Sequence, residues 1–241
     1  MVRRISAVLF DLDGTLLDID VEGFFPDYFA RLQRFVAPHA PGHEFLPQLL
    51  RSTTAMIASR DPSLTNQEVF LEDFFAGLAV PREKLMPLFD AFYRDEFPAL
   101  ARHARPAEGA RSAVEWALGS GRRAVVATAP VFPRTAIMER LGWARLGDLP
   151  FAFVTTYENM HFCKPHPEYY AEIAGHLGCP AEECLMVGND VEEDLPAQDV
   201  GMATFLAGPA VIHRGRRPAK PDYRGVLADL SRVLGEMPRL T

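Results

Sequence analysis

The chain has 241 residues, of which 48% are hydrophobic and 24% are charged, so it is long enough for one large domain or two smaller ones. This composition excludes an intrinsically disordered chain and predicts no membrane span. With 25 Lys and Arg residues against 32 Asp and Glu residues, the formal net charge is -7, which disfavours nucleic acid as the main partner.

The cysteines and the N-terminal segment both favour a cytoplasmic protein. The three cysteines, Cys163, Cys179 and Cys184, are odd in number and form no Cys-x-x-Cys pair, which is typical of reduced thiols rather than of a disulfide framework. The apolar run at residues 7–10 ends at Asp11, far short of a signal peptide or a membrane helix. We therefore expect neither export nor a membrane partner.

The first predicted element is a buried strand at residues 5–10, which ends at a polar Asp-Leu-Asp-Gly-Thr turn. Over residues 18–105, aromatic residues and leucines recur at helical spacing between proline breaks, without the alternation that is typical of strands. We therefore predict that this segment is an all-helical insert. Core packing is the favoured role of its aromatic residues, and Phe24, Phe25 and Tyr28 are the candidates for substrate contacts.

After Pro106 the pattern changes to short apolar strands in alternation with amphipathic helices. The predicted strands lie at residues 123–127, 151–154, 184–187 and 203–206. The predicted helices lie at residues 107–118, 134–141 and 168–177, near Leu195, and at residues 223–234, with a solvated loop at residues 214–220. This alternation is typical of right-handed βαβ units in a parallel sheet. We predict a doubly wound, Rossmann-like α/β fold, in which residues 1–17 and 106–241 form the core domain and residues 18–105 the inserted helical domain.

Polar residues follow the predicted strands at the points where the strands end. They are Asp11, Asp13, Thr128, Lys164, Asn189, Asp190 and Asp194. In a doubly wound sheet, ligands bind beyond the carboxyl ends of the strands. The sequence therefore predicts one site that these side chains share.

The two carboxylates of the first turn fit the two roles that phosphoryl transfer to an aspartate requires. Asp11 is fixed by the end of the strand and faces the open edge of the sheet, so it fits the nucleophile. Asp13 fits the acid that protonates the leaving oxygen and the base that then activates water. The alternative for Asp11 is a turn role, in which its side chain only closes the strand.

Thr128 and Lys164 carry groups that bind a transferring phosphoryl group. The Thr128 hydroxyl and nearby N–H groups fit phosphoryl oxygens, although a threonine at this position fits a helix cap equally well. Lys164 is the only lysine between Lys84 and Lys220. Its compact charge suits a phosphoryl group, although a lone lysine is usually exposed to solvent.

The acidic turn Val-Gly-Asn-Asp-Val-Glu-Glu-Asp at residues 187–194 supplies oxygen ligands for Mg²⁺. Either Asn189 or Asp190 fits the ligand from this turn, and Asp190 is the stronger one. Asp190 followed by Glu193 also fits a capping box. Asp194 is expected to orient Lys164. The predicted metal ligands are Asp11, Asp13, Asn189 and Asp190.

In their order and spacing, the first turn, Thr128, Lys164 and the acidic turn resemble the four motifs of the haloacid dehalogenase (HAD) superfamily. The resemblance covers essentially the whole chain, and the insert directly after the first motif resembles the helical cap of that family. It implies a Mg²⁺-dependent phosphohydrolase that acts on a small phosphorylated metabolite through an aspartyl-phosphate intermediate. It also favours phosphate binding at Thr128. Asn189 differs from the Asp that many relatives have there, which leaves the metal ligand of the turn open.

Other functions are compatible with part of the same pattern. A phosphomutase uses the same nucleophile and acid but returns the phosphoryl group to the sugar. A phosphoacceptor signalling module also carries acidic residues, Thr and Lys at strand ends, but Asp13 has no use where an acyl phosphate must persist. A catalytically silent binding protein is disfavoured because every expected charged group is present. Neither the substrate nor the oligomeric state follows from the sequence.

Overall fold

The structure is a computed structural model that describes residues 4–40 and 42–235. The predicted domain ranges also include residues 1–3, 41 and 236–241, which lie outside the described part of the chain. The strands, in chain order, are β1 Ala7–Phe10, β2 Leu17–Ile19, β3 Ala104–Pro106, β4 Arg123–Val126, β5 Phe153–Val154, β6 Cys184–Gly188, β7 Ala203–Ala207 and β8 Tyr223–Gly225.

The α-helices, in chain order, are α1 Val21–Val36, α2 Gly42–Ala58, α3 Asn66–Ala76, α4 Arg82–Asp95, α5 Ala110–Gly119, α6 Arg134–Trp143, α7 Pro167–Leu177 and α8 Leu230–Gly235. Short 3-10 helices lie at Phe97–His103, Ala181–Glu183, Leu195–Val200 and Leu227–Asp229. Of the helices in the described part, none combines the length and the apolar character needed to cross a membrane.

Within the described residues, six strands form a parallel sheet in the order β5-β4-β1-β6-β7-β8. The central strand β1 is fully buried. Val8 and Phe10 belong to the hydrophobic cluster on one face of the sheet, and Ala7 and Leu9 belong to the cluster on the other face. Because both faces are covered, the strand is apolar at every position. The predicted doubly wound α/β fold is confirmed.

The strand order reverses at β1. From β1 the chain continues to β4 and β5 on one side, and it then returns to β6, β7 and β8 on the other side. The carboxyl ends of β1, β4 and β6 therefore border the crevice that forms at such a reversal. The residues that follow these three strands lie at the position where doubly wound proteins bind ligands.

The two short strands β2 and β3 form an antiparallel ribbon at the base of the insert. Leu17 lies opposite Pro106, and Ile19 lies opposite Ala104. The prediction of an all-helical segment at residues 18–105 is wrong at this ribbon. Strands of three residues are too short to show an alternating pattern, and their pairing joins segments that are distant in sequence.

Beyond the ribbon, the insert is helical. Helix α1 begins where the Asp20 side chain accepts a hydrogen bond from the Gly23 N–H, and α3 begins at a capping box of Thr65 and Glu68. The buried residues of α1 recur at helical spacing and are Phe24, Tyr28, Leu32 and Val36. This apolar stripe joins the core cluster that also includes side chains of α2, α3 and α4, as expected for a helix with one apolar face.

The predicted helix at residues 223–234 is wrong in its first part. Tyr223–Gly225 is the edge strand β8, in which Tyr223 lies opposite Phe205 of β7, and only Leu230–Gly235 is α-helical. Pairing with β7 decides the conformation of this segment, and such a tertiary contact overrides local spacing. The other predicted elements of the core match the observed ones to within three residues at each end, although the helix near Leu195 is a 3-10 helix.

Candidate active site

Three of the predicted residues lie at the carboxyl ends of neighbouring strands. Asp11 directly follows β1, Asn189 directly follows β6, and Thr128 lies two residues beyond β4. The sheet pairing continues past β1, because the Asp11 N–H donates to the Val187 carbonyl oxygen at 2.9 Å. The sheet therefore fixes the main chain of the candidate nucleophile.

Lys164 joins two of the predicted carboxylates. Its Nζ donates hydrogen bonds to Asp11 Oδ1 at 2.8 Å and to Asp194 Oδ1 at 2.6 Å, and all three residues are buried. Asp194 is fixed in turn, because its Oδ2 accepts a hydrogen bond from the Asp190 N–H at 2.9 Å. A Cβ atom at Gly188 would overlap the Asp194 carboxylate, so this close approach requires glycine there. The structure thus brings Asp11, Lys164 and Asp194 into direct contact.

Burial and charge shift the pKa of each of these three groups. Burial alone would lower the pKa of Lys164, but the charges of Asp11 and Asp194 raise it well above its usual value, so the ammonium stays protonated. Burial raises the pKa of Asp194 to about 6, and the charge of Lys164 offsets only part of that effect. Burial also raises the pKa of Asp11 against the charge of Lys164, and Glu193 adds to the rise. Lys164 thus shares its single positive charge between two buried carboxyl groups.

Thr128 is buried in the loop after β4. Its carbonyl oxygen accepts hydrogen bonds from the Tyr169 hydroxyl and from the Thr155 hydroxyl, both at 2.8 Å. These two bonds fix the main chain at Thr128 through its carbonyl and do not involve its own hydroxyl. The loop is therefore held in place beside Asp11, as a phosphoryl-binding segment requires.

Asn189 connects the acidic turn to the first turn. Its Oδ1 accepts a hydrogen bond from the Thr15 hydroxyl at 3.3 Å, and its Nδ2 donates to the Ala210 carbonyl oxygen at 2.8 Å. Gly14 has a φ of 78°, and a Cβ atom there would overlap the Asn189 amide. Glycine is required at this position both by its conformation and by the close approach of the two turns.

Asp190 has both of its carboxylate oxygens in use. Its Oδ1 accepts hydrogen bonds from the N–H groups of Glu192 and Glu193 at 2.9 and 3.1 Å, which is a capping arrangement. Its Oδ2 lies 2.7 Å from Nη1 of Arg214. Arg214 lies in the loop that the sequence predicts to be solvated, and nothing in the spacing of that loop indicates this ion pair.

Asp13 is paired by a residue that the sequence analysis did not identify. Arg140 on α6 is 1% exposed, and its Nη2 forms an ion pair with Asp13 Oδ2. Burial lowers the pKa of Arg140 to about 10, with the charge of Asp11 opposing that shift, so the guanidinium is a cation at neutral pH. A single arginine within a helical pattern carries no sequence signal of such a contact.

The acidic groups around Asp11 fit a divalent cation. Burial raises the pKa of Glu193, the charge of Lys164 opposes that rise, and the charges of Asp190 and Asp194 add to it. A bound cation would favour the ionised form of such buried acids. Within the described residues, no three His, Cys, Asp or Glu side chains are grouped as metal ligands. Mg²⁺ suits such a site, because it is usually held by one or two carboxylates together with waters and substrate phosphate.

A cavity of about 110 Å³ lies between the insert and the loop that follows Thr128. Phe25 and Tyr28 of α1 line it from one side, and Phe132 lines it from the core. Phe24 does not line it. Its ring packs instead against the ring of Phe97, with 6.2 Å between the ring centres. Of the three candidate substrate contacts, Phe24 is thus a core residue, whereas Phe25 and Tyr28 border a cavity.

The arrangement defines a class of protein: a doubly wound α/β core with a buried lysine–carboxylate cluster at its strand reversal and a helical insert after the first strand. A family model described as haloacid dehalogenase-like hydrolase matches residues 5–198. The chain belongs to this family of hydrolases, which confirms the resemblance identified from the sequence motifs.

Several curated relatives are phosphatases by name. The chain is 28% identical over 220 residues to an N-acetylmuramic acid 6-phosphate phosphatase of Pseudomonas aeruginosa, covering 90% of this chain and 87% of the relative. It is 28% identical over 208 residues to a phosphoglycolate phosphatase of Xanthomonas campestris, covering 86% of this chain and 84% of the relative. It is 25% identical over 239 residues to the pyrophosphatase PpaX of Bacillus cereus, covering 98% of this chain and 99% of the relative.

Solved structures support the fold. A HAD phosphatase from Thermococcus onnurineus superposes with a TM-score of 0.58 at 23% identity, covering 98% of this chain and all of that one. A 2-haloacid dehalogenase from Pseudomonas syringae superposes with a TM-score of 0.61 at 20% identity, covering 96% of this chain and 98% of that one. At these identities the likeness concerns the fold, and both kinds of enzyme share it.

Proposed function

We propose that the protein is a cytoplasmic, Mg²⁺-dependent phosphatase that hydrolyses a small phosphorylated metabolite through an aspartyl-phosphate intermediate. The observation that carries this proposal is the buried Lys164 between Asp11 and Asp194 at the strand reversal. The names of the phosphatase relatives support it, and the three free cysteines agree with a reducing compartment.

In the first step, a carboxylate oxygen of Asp11 attacks the phosphorus atom. A new bond forms between that oxygen and phosphorus while the ester bond to the leaving oxygen breaks. The protonated Asp13 carboxyl gives its proton to the leaving oxygen, so the product leaves as an alcohol. The ammonium of Lys164 and the Thr128 segment stabilise the charge on the phosphoryl oxygens.

In the second step, the Asp13 carboxylate takes a proton from a water molecule. The water oxygen bonds to phosphorus, and the bond between phosphorus and the Asp11 oxygen breaks. Inorganic phosphate leaves and Asp11 is regenerated as a carboxylate. Because Asp13 gains back the proton that it lost in the first step, one turnover leaves the protein unchanged.

Mg²⁺ would be held by Asp11, by Asp13 and by one residue of the acidic turn, either Asn189 or Asp190. When bound, it would neutralise charge on the phosphoryl oxygens and bring the phosphate dianion close to the Asp11 carboxylate. Lys164 is already shared by two carboxylates, so its single positive charge does not by itself neutralise the charge on the phosphoryl oxygens.

Exchanging the turn residues should show which of them binds Mg²⁺. Asp190 is engaged by two N–H groups and Arg214. Among the described residues, Asn189 Oδ1 accepts only the 3.3 Å bond from Thr15. We therefore expect Asn189→Ala to raise the Mg²⁺ concentration for half-maximal activity about 10-fold or more. Asp190→Asn should change it little, because Asn caps as well as Asp.

Two measurements on each variant check this: initial rates as a function of Mg²⁺ concentration, and the rise in Tm when Mg²⁺ is added. Asn189→Ala should reduce that rise, which is a direct readout of binding. A Mg²⁺ defect in Asp190→Asn and none in Asn189→Ala would assign the ligand to Asp190 instead.

A panel of phosphorylated metabolites, assayed for released phosphate with Mg²⁺ and with a chelator, tests the proposed function. We expect Mg²⁺-dependent phosphate release from at least one small phosphomonoester. Interconversion of sugar phosphate isomers without phosphate release would indicate a phosphomutase. One stoichiometric phosphorylation from an acyl phosphate donor, with no turnover, would indicate a phosphoacceptor module.

A further inference from the structure

Two buried arginines of the core make very different contacts. Arg122 is 3% exposed and donates from all three nitrogen positions, to the Ile5 carbonyl at 3.1 Å, the Ser120 hydroxyl at 2.8 Å and the Leu234 carbonyl at 3.2 Å. Each donor position therefore has an acceptor, as expected for an arginine that only stabilises the fold.

Arg140 is buried as deeply but is incompletely paired. Its Nη2 contacts Asp13 Oδ2, and its Cζ lies 5.3 Å from the centre of the Phe132 ring. Its Nε is buried and has no hydrogen-bond partner within the described residues. Burying a guanidinium in this state is costly, so a residue with only a packing role would be better replaced by an apolar one.

The partner of Arg140 is also incompletely paired. Asp13 Oδ1 is buried and lacks a hydrogen-bond partner within the same part of the chain, while the Asp13 side chain as a whole is 35% exposed. A contact through one oxygen restrains the carboxyl group and leaves the other oxygen without a partner among the described residues. A fork-to-fork pair would instead occupy both oxygens.

The two carboxylates of the first turn thus contact different cations, although the charge of Asp11 also acts on Arg140. Asp11 is held by Lys164, which lies ahead of α7, and Asp13 is held by Arg140, which lies on α6. The first turn itself is fixed by main-chain bonds, such as the Gly14 N–H to the Leu17 carbonyl at 2.7 Å. Arg140 therefore sets the orientation of a side chain on a main chain that is already rigid.

We propose that Arg140 is a positioning residue for Asp13, whose carboxyl group it holds through Oδ2 and so directs at the leaving oxygen of the substrate. This inference rests on the proposed phosphatase function. Arg140 itself transfers no proton and touches no reacting atom. Because Asp13 protonates the leaving oxygen in the first step, we expect the loss of kcat/KM on removing Arg140 to depend on the leaving group.

The test compares kcat/KM for alkyl phosphates, which need a proton on the leaving oxygen, with that for aryl phosphates of acidic phenols, which need it far less. Asp13→Asn should lower the alkyl-to-aryl ratio about 100-fold. Arg140→Met should lower the same ratio about 10-fold, because Asp13 remains but is no longer held. Arg140→Lys should recover part of the ratio, since an ammonium also pairs with Oδ2.

Arg122→Met is the matched control, because it also removes a buried arginine from the core. It should lower Tm and leave the alkyl-to-aryl ratio unchanged. If Arg140→Met lowers both rates equally, or not at all, its role is structural and the inference is wrong. If Arg140→Met does not fold, a wild-type ratio in Arg140→Ala, whose side chain has no donor, would overturn it. A wild-type protein that hydrolyses neither class would overturn the proposed function itself.

Discussion

Asp11→Asn is expected to lower turnover by about 10⁴-fold or more, because an amide does not attack phosphorus and no other nucleophile replaces it. The protein should still fold. Asn has nearly the volume of Asp, and its side-chain oxygen still accepts a hydrogen bond from Lys164, which keeps Asp194 as its charged partner. Initial rates on an aryl phosphate, measured together with a thermal melt, check both parts.

Asp18→Asn is the matched control for this substitution, because the Asp18 carboxylate is exposed in the ribbon and pairs with Arg105 at 2.7 Å. It should leave turnover within about twofold of the wild type, since exposed ion pairs contribute little. Wild-type turnover in a folded Asp11→Asn protein would show that the nucleophile lies elsewhere.

Lys164→Met is expected to remove activity and also to destabilise the fold by about 3–5 kcal/mol, the usual cost of leaving buried charges without a partner. Asp11 and Asp194 would then face each other without a cation between them. The loss of folding stability should be larger at pH 8 than at pH 5. Burial raises the pKa of both carboxylates, so the folded variant binds more protons than the unfolded chain and loses stability as the pH rises.

The double variant Lys164→Met/Asp194→Asn should regain part of the stability and none of the activity, because it removes one uncompensated charge without restoring the cation. Lys84→Met is the control, since Lys84 is exposed and should change stability by less than about 0.5 kcal/mol. Denaturant unfolding at the two pH values measures these differences. A Lys164→Met protein as stable as the wild type at pH 8 would contradict the buried ion pairs.

Much of the core fold could be predicted because its signals are local. The strands β1, β4 and β6 are short apolar runs that end at polar turns, and the alternation with helices specifies a parallel sheet. Topology also brings Asp11 close to the acidic turn, since β1 and β6 are neighbouring parallel strands whose carboxyl ends meet at one edge.

The features that were missed depend on contacts between distant parts of the chain. Strand β8 exists because it pairs with β7, and its three residues are too few to show a period. Arg140 occupies a helical position like any other, and only the packing of α6 against the first turn turns its guanidinium toward Asp13. Periodicity describes which face of an element is apolar, but it does not identify the partner of a buried charge.

The ribbon of β2 and β3 has a consequence for how the chain tolerates its large insert. Because Leu17 and Pro106 are paired across the ribbon, the core holds the two ends of the insert side by side, as the ends of a hairpin loop. The free-energy cost of closing a loop, which arises from lost chain entropy, grows only with the logarithm of the loop length, by about 0.6 kcal/mol for each doubling. The length of the chain between these strands can therefore change greatly at little cost in loop-closure entropy to the sheet that carries the candidate active site.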